Sequence, residues 1–496
     1  MRSLVITMPP ADTTRPPAAG AIVSAVCAAE GHDVTAVDLQ IEFNDYLRQQ
    51  NIAQDSFDAV FYDAGLEFDT QQQAVVAKFI SDTVDNIAAA NPDYILLSLF
   101  SYLAQKFTVE FLIRLRPRTQ AKIVIGGSGV TATTFDEANQ FGETMLAQKL
   151  VDAFITGEAE NSLPEYFKQG HGPGINSRDF VQITDLDSAI KPDYSFYNLD
   201  NYHSAQGTRE VVIVGSRGCV RSCTFCDVVK TWPKYRYRSG ANIAAEIIHN
   251  YETHGVKDFL FSDSLVNGSL KAFDDMCAAL ARYRFRNQIN WRGQYIVRPK
   301  KTVPERHFDL LKESGCRELF VGIETGSDRV RFQIGKKFTN DDIEYHLEGF
   351  ERAGVAALFL FFTGYATETL EDHQETLGMF PRWQRFVASG TISAIETLNI
   401  LTILPGSPLE KIARENRYHF LPNPNGTPNN LFWINPANPK LTFPERLRRH
   451  LEMMETAMRY RWPIWNGDVS LEMFDRAITQ YQQLNTTHRV FQLNTV

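Results

Sequence analysis

Cys219, Cys223 and Cys226 bring three of the chain's six cysteines within eight positions, inside the stretch VVIVGSRGCVRSCTFCDVVKTW from Val211 to Trp232. Thiolates are soft donors that suit iron–sulfur clusters and zinc. A Cys-x3-Cys-x2-Cys loop offers three of them, and a four-iron cube held by three thiolates keeps one iron open to a further ligand. That open corner is where chemistry can take place. A structural zinc site closes its shell with a fourth Cys or His instead. No fourth cysteine follows nearby, and downstream histidines, His254 among them, leave that alternative standing on spacing alone. Phe225 between the last two cysteines, Gly218 before the first and a strand just upstream all favour the cluster.

Apolar runs spaced by helical patterns must carry this loop. The run Val211 to Gly215 is followed by Phe259 to Ser262, Ile289 to Gly293, Glu318 to Ile323, Ala357 to Thr363 and Glu396 to Leu401. Residues at the carboxyl ends of such parallel strands are the ones placed for function. Arg298, in GQYIVRP, fits a carboxylate there, because a guanidinium pairs with it through two hydrogen bonds, and a plain exposed arginine is the alternative.

An earlier series reads the same way: residues 3–8, 33–39, 93–99, 122–127 and 151–157 as strands, with helices at 18–30, 73–90 and 106–115 between them. Strands this apolar imply a parallel sheet covered on both faces, whose ligands sit beyond the carboxyl ends. The loops there hold Pro10, Ser98, Gly126, Gly127, Ser128, Gly157 and Glu158. Glycine lets backbone approach a flat ligand closely, and the hydroxyls of Ser98 and Ser128 can meet amide groups or a ring edge. Tight turns alone would use the same residues. Residues 169–207 are rich in Gly, Pro and polar types and read as a linker.

Composition narrows the classes further. Hydrophobic residues make up 44% and charged residues 22%, a globular profile with length for more than one core. The net charge of -9 argues against a nucleic-acid partner. The opening MRSLVITMPPADTTRPP lacks the apolar run of a signal peptide, and no window spans a membrane, so the expected compartment is the cytoplasm. There, sparse cysteines serve as thiols or metal ligands. Cys27, Cys277 and Cys316 fall in helical patterns or at helix ends and read as core residues.

CVRSCTFC resembles the signature of the radical S-adenosylmethionine (radical SAM) enzymes. The first 168 residues, with Met8-Pro-Pro10, Gly31-His-Asp-Val34, SLFS, IVIGGSG and VDAFITGEAE, resemble the cobalamin-binding domain that precedes many of them. The resemblance implies an α/β protein in four parts. A doubly wound, Rossmann-like cobalamin-binding domain (1–168) and the linker (169–207) lead into a partial (β/α)6 TIM-type barrel (208–408), followed by a mainly helical extension (409–496). It implies a [4Fe-4S] cluster on Cys219, Cys223 and Cys226 whose free iron chelates S-adenosylmethionine, and reductive cleavage to a 5′-deoxyadenosyl radical.

By the same resemblance Asp263 lies near the methionine ammonium, although a helix N-cap is its plain alternative. Glu324, in VGIETGSD, faces the ribose or the methionine end. Gly364 borders the adenine, in a loop where Ala366 replaces a frequent proline and loosens the turn. Lys336 and Thr339 match a Lys-x-x-Thr element, with Thr339 expected to cap a helix. The Asp-x-His-x-x-Gly motif that puts a histidine on cobalt is missing after Asp38, which removes an axial ligand without excluding cobalamin.

The function expected is a cobalamin-dependent methyltransferase acting on an unactivated carbon or phosphorus, taking a small-molecule or peptide substrate and a reductant such as flavodoxin or ferredoxin. The alternative is a radical SAM cyclase or rearrangement enzyme whose amino-terminal domain is a docking module without cobalamin. The three other cysteines form no second triplet, which counts against the methylthiotransferases.

Overall fold

Alternate residues of the first strand enter opposite cores. In the computed structural model, which describes residues 1–62, 66–131, 140–204, 207–423, 426–465 and 471–488, Leu4 and Ile6 pack into one hydrophobic cluster and Val5 into another. The same split recurs for Ile95 and Leu97 against Leu96, and for Ile123 and Ile125 against Val124. Side chains of a strand point alternately to its two sides, so continuous apolar runs mark a sheet buried on both. The strands are β1 (Arg2–Thr7), β2 (Asp33–Asp38), β3 (Tyr94–Ser98), β4 (Lys122–Gly126) and β5 (Ala153–Ile155). They lie in the order β2-β1-β3-β4-β5 with parallel pairing throughout. Winding reverses between β1 and β3, which makes their carboxyl ends the switch point where such sheets take ligands.

The chain forms two compact units, Met1–Ile213 with His249–Asp258, and Val214–Ile248 with Phe259–Val496. Residues 169–207 are not a free linker. Ile175 and Val181 bridge to Ile155 and Gly157 at the end of β5. Tyr194, Tyr197 and Tyr202 are buried, and the Tyr202 hydroxyl donates to Asp38 Oδ2 at 3.1 Å. Large aromatic side chains outweigh the glycine-rich composition once a surface exists to receive them.

A second sheet begins with β6 (Glu210–Ile213). A short antiparallel ribbon, β7 (Ser216–Arg217) with β8 (Arg236–Tyr237), follows it. Then come β9 (Asp258–Phe261), β10 (Asn290–Tyr295), β11 (Cys316–Glu324), β12 (Ala356–Thr363) and β13 (Ile392–Ile400). The six expected strands are present, though β13 starts four residues before its expected first residue, Glu396. The carboxyl-terminal part adds more than helices: besides Pro408–Glu415, Phe443–Arg459 and Leu471–His488 it holds the hairpin β14 (His419–Pro422) and β15 (Pro428–Ile434), and β16 (Ile464–Trp465). β16 pairs with β13 and becomes a seventh strand, in the order β16-β13-β12-β11-β10-β9-β6. Residues 489–496 of the expected extension lie outside the described residues.

Candidate functional site

The ribbon β7–β8 closes the loop that holds the three cysteines. Gly218 opens the loop at φ 86°, where a Cβ would come within 2.8 Å of the Lys234 carbonyl, so only glycine lets the two ends meet. Beneath it, Asp263 at the end of β9 accepts from the Gly215 amide at 2.9 Å. The far side of the loop is tied by the Thr224 amide to Ile334 O at 2.9 Å and by the Thr224 hydroxyl to the Tyr365 hydroxyl at 2.9 Å. Phe225 meets the edge of Phe362 with ring centroids 4.9 Å apart.

Cys219, Cys223 and Cys226 carry free thiols, and Cys223 feels the charge of both others. Burial pushes the Cys223 thiol up to about 11, partly countered by Lys336 and reinforced by Glu324 and the two other cysteines. Burial also raises Cys226. Loading a cluster therefore has to expel protons from these thiols. Among the described residues no three His, Cys, Asp or Glu side chains converge as a single ion would require. A cube takes three thiolates and keeps one iron open, whereas a structural zinc needs a fourth donor, so this donor set fits the cluster better than zinc.

Beside the thiols, β11 ends in a buried ion pair. Lys336 Nζ lies 2.7 Å from Glu324 Oε1 and donates to Gly322 O at 3.1 Å. Burial opposes the Lys336 charge, but Glu324 and the Cys223 thiol hold its pKa above the ordinary value. Glu324 itself stands at φ 64°, rare for a residue with a side chain. The turn after it is clamped by Arg331, fully buried, which donates to Thr325 O at 2.6 Å and to Asn340 Oδ1 at 2.8 Å. Thr339 caps the helix Asn340–Ala353, as its sequence context implies.

Arg298 also faces the cysteine loop, with Cys219 and Arg221 among the charges it feels. Its Nη2 donates to Asn267 O at 2.8 Å and Gly268 O at 2.6 Å, while its buried Nε has no partner among the described residues. One edge of the guanidinium is thus committed to backbone. Asp263 is not an N-cap; Ser269 caps the following helix. Its fully buried carboxyl points to Gly215 and Ser216, and burial pushes it up to about 7 against those hydrogen bonds. That orientation makes it a holder of the cysteine loop.

Gly364, at φ 82°, packs on Arg446, whose side chain a Cβ would meet at 2.4 Å. Its loop is firmly tied despite Ala366. Asn435 donates to Ala366 O at 3.0 Å, Asn438 to Glu368 O at 3.0 Å, and Glu368 forms a buried ion pair with Arg449 at 2.9 Å. Tertiary hydrogen bonds supply what the absent proline would have given locally.

At the carboxyl edge of the first sheet the candidates divide. Pro10 is buried behind a cis Pro9–Pro10 bond, and Ser98 O accepts from the Met8 amide at 3.0 Å. Gly126 closes β4, and Gly127 at φ 97° is exposed, its missing Cβ leaving room for Leu99 O. The Ser128 hydroxyl donates to Phe100 O. Phe100 is 73% exposed beside this loop, an apolar face that a flat ring system can cover. Gly157 and Glu158, by contrast, are taken up by the 175–183 segment. A Cβ on Gly157 would meet Val181 O at 2.4 Å, and Glu158 Oε2 accepts from the Ile183 amide. Asp38 spends its oxygens on Gln40 N and Tyr202.

Residues 213–380 match the Radical SAM superfamily profile. The chain carries a radical SAM domain. Among curated relatives, an uncharacterized methyltransferase of Pyrococcus horikoshii, PH0819, is 28% identical over 51% of this chain and 56% of its own length. An anaerobic magnesium-protoporphyrin IX monomethyl ester cyclase of Cereibacter sphaeroides is 26% identical over 54% of this chain and 42% of its own. The chain thus spans about half the length of the curated relatives it matches. In fold it is similar to TsrM of Kitasatospora setae, a radical S-adenosylmethionine methyltransferase solved with cobalamin and a [4Fe-4S] cluster. The identity is 15% over 95% of this chain and 92% of TsrM, with TM-score 0.62.

Sequence reasoning passed over the Lys336–Glu324 pairing, and the run Arg446-Leu-Arg-Arg449, which composition reads as a solvated helix end, is buried at Arg446 and Arg449. The lysine of the Lys-x-x-Thr element was visible; the identity of its partner was a matter of three-dimensional contact. Among the described residues no helix is long and apolar enough to cross a membrane.

Proposed function

We propose that this chain is a cobalamin-dependent radical SAM methyltransferase. We read its second sheet as the partial barrel of that family and its first as the cobalamin-binding domain. The observation that carries the reading is the loop of Cys219, Cys223 and Cys226, with Cys223 feeling the charge of both other thiols and of the buried Lys336–Glu324 pair, within a domain matching the radical SAM profile. When bound, the cluster supplies an electron that splits S-adenosylmethionine into methionine and a 5′-deoxyadenosyl radical, and cobalamin supplies the methyl group.

The chain's own residues hold and shield. Cys219, Cys223 and Cys226 are the thiolate donors. Lys336 offsets their negative charge, and Glu324 keeps Lys336 in place. The unpartnered Nε of Arg298 suits the methionine carboxylate. Asp263 fixes the approach of the loop, and Phe362, Tyr365 and Leu401 exclude water behind Cys223. Pro10, Ser98, Gly126, Gly127 and Ser128, with Phe100, form the edge that would seat the corrin. The reductant is a flavodoxin or ferredoxin, and the substrate a small molecule or peptide.

Anaerobic reconstitution tests this. The expected product binds about four irons and four sulfides per chain, retains hydroxocobalamin in its visible spectrum, and forms 5′-deoxyadenosine under reduction. Absence of iron and sulfide overturns the reading. Cluster and cleavage without corrin retention or label transfer from methyl-labelled S-adenosylmethionine would favour the cyclase reading, which the similarity to the magnesium-protoporphyrin cyclase also supports.

A further inference from the structure

Register in the second sheet aligns a row of side chains beyond the Lys336–Glu324 pair. Gly322 pairs with Leu360, Leu360 with Glu396, and Glu396 with Trp465. Register partners on parallel strands project to the same side, about 4.8 Å apart. Their sequence neighbours Val321, Phe359 and Ile395 are at most 1% exposed and fill the opposite, helix-covered side. On the open side Phe320, Leu360 and Glu396 remain partly accessible, and Trp465 is 50% exposed.

Glu396 stands out in this row. Lys336 is committed to Glu324 and Gly322, and among the described residues Glu396 makes no hydrogen bond or ion pair. Burial raises its pKa, and the charge of Glu324 raises it further. A half-buried carboxylate next to an accessible indole, with Leu360 as its apolar neighbour in the same row, has a specific complement; the Arg292 guanidinium lies over Phe320 instead, 5.9 Å from its ring centroid. A cation borne on hydrocarbon satisfies the carboxylate, the indole face and the apolar neighbour together. A neutral group leaves the carboxylate uncompensated, and an anion is repelled by it.

We propose that Glu396 and Trp465 form a substrate-selecting subsite that takes a protonated amine or guanidinium attached to an apolar body. This deepens the methyltransferase reading, on which it rests for the statement that the ligand is the substrate. The recognition itself is a property of three side chains in one row of the sheet, Leu360, Glu396 and Trp465.

Isothermal titration of the reconstituted full chain with benzylamine, benzyl alcohol and benzoate tests it. Benzylamine is expected to bind about tenfold more tightly than benzyl alcohol, with benzoate weakest. Glu396→Gln is expected to erase the preference for the amine, Glu396→Lys to turn it towards benzoate, and Trp465→Leu to weaken benzylamine about threefold. Misfolding cannot produce the reversal expected of Glu396→Lys. Equal binding of the three probes, or an amine preference that survives Glu396→Gln, overturns the proposal. Iron, sulfide and 5′-deoxyadenosine measured on the same preparations report on the parent reading separately. Charge selection without a cluster sinks only that reading, and an active cluster without charge selection sinks only the subsite.

Discussion

Lys336 Nζ and Glu324 Oε1 are 2.7 Å apart because residue 322 has no side chain. A Cβ at Gly322 would lie 2.5 Å from Glu324 Oε1 and 2.9 Å from Lys336 Nζ. The absent methyl group is the space the pair occupies, directly beside the cysteine loop. Gly322→Ala is therefore expected to push the pair apart, at a cost of about 1–3 kcal/mol of stability by overpacking. A tenfold or larger fall in 5′-deoxyadenosine formation should accompany it, about 1.4 kcal/mol or more of barrier. Urea unfolding and product assay on one preparation check both; wild-type values in both would disprove the role given to the pair.

Asp263 makes stability depend on pH with a definite sign. Its carboxyl titrates at about 7 when folded and near 3.8 when exposed. Between those values the folded state holds a proton that the unfolded state has released. The stabilisation is full below the lower value and is lost as pH rises to the upper one, to a limit of about 4 kcal/mol. Asp263→Asn has no proton to lose. In urea unfolding at about pH 5 and about pH 8, the wild type should lose more stability than the variant. A constant difference between them would show that the buried carboxyl is ionised throughout.

Arg449 and Glu368 form a buried pair, 2.9 Å apart, with side chains 7% and 4% exposed. Arg449→Ala strands the Glu368 charge and is expected to cost about 3–5 kcal/mol. Adding Glu368→Gln should restore part of that, since the uncompensated charge and not the lost contact is the main penalty. Thermal unfolding of the single and double variants separates the two; equal loss in both would contradict the assignment. The single variant should also slow 5′-deoxyadenosine formation, because Glu368 Oε2 accepts from the Gly364 amide at 3.3 Å.

The six cysteines should sort into two groups by iron content. Alanine at Cys219, Cys223 or Cys226 is expected to abolish the cluster. Alanine at Cys27, Cys277 or Cys316, each raised in pKa chiefly by burial, should leave iron unchanged. Iron retained in any variant of the first group would remove that residue from the ligand set.

Gly127→Ala addresses the first unit alone. Its φ of 97° and the 2.4 Å approach to Leu99 O leave no room for a Cβ. The expected result is a loss of about 1–3 kcal/mol together with loss of hydroxocobalamin retention, read from the visible spectrum after gel filtration. Retention at wild-type level would move the corrin away from this loop.

Much of this was legible along the chain. Strand runs such as 122–127 and 357–363 are apolar in all but their terminal Lys122 and Thr363, and local periodicity reports a strand wherever both of its faces are buried. Thr339 followed three residues later by Asp342 announced its own cap. The misread parts share a cause. Residues 169–207 looked like a linker because burial of Tyr194 and Tyr202 depends on a surface built by β1, β2 and their helix. Gly157 and Glu158 looked available for a ligand because nothing local shows that Val181 and Ile183 cover them. β16 is two residues long, too short for any periodic signal, and exists only because β13 offers it an edge.

What the sequence alone determined is the chemistry on offer: three closely spaced thiols with no fourth beside them, and two series of strands to carry loops. Donor type, spacing and periodicity are properties of neighbours along the chain, and they survive without a fold. Tertiary structure decided which charges meet. It gave Lys336 to Glu324, left Glu396 unmatched beside Trp465, turned Asp263 to the backbone of Gly215, and set Arg446 against Gly364. Such pairings are made between residues far apart in sequence, where the choice of partner depends on which surfaces burial brings together.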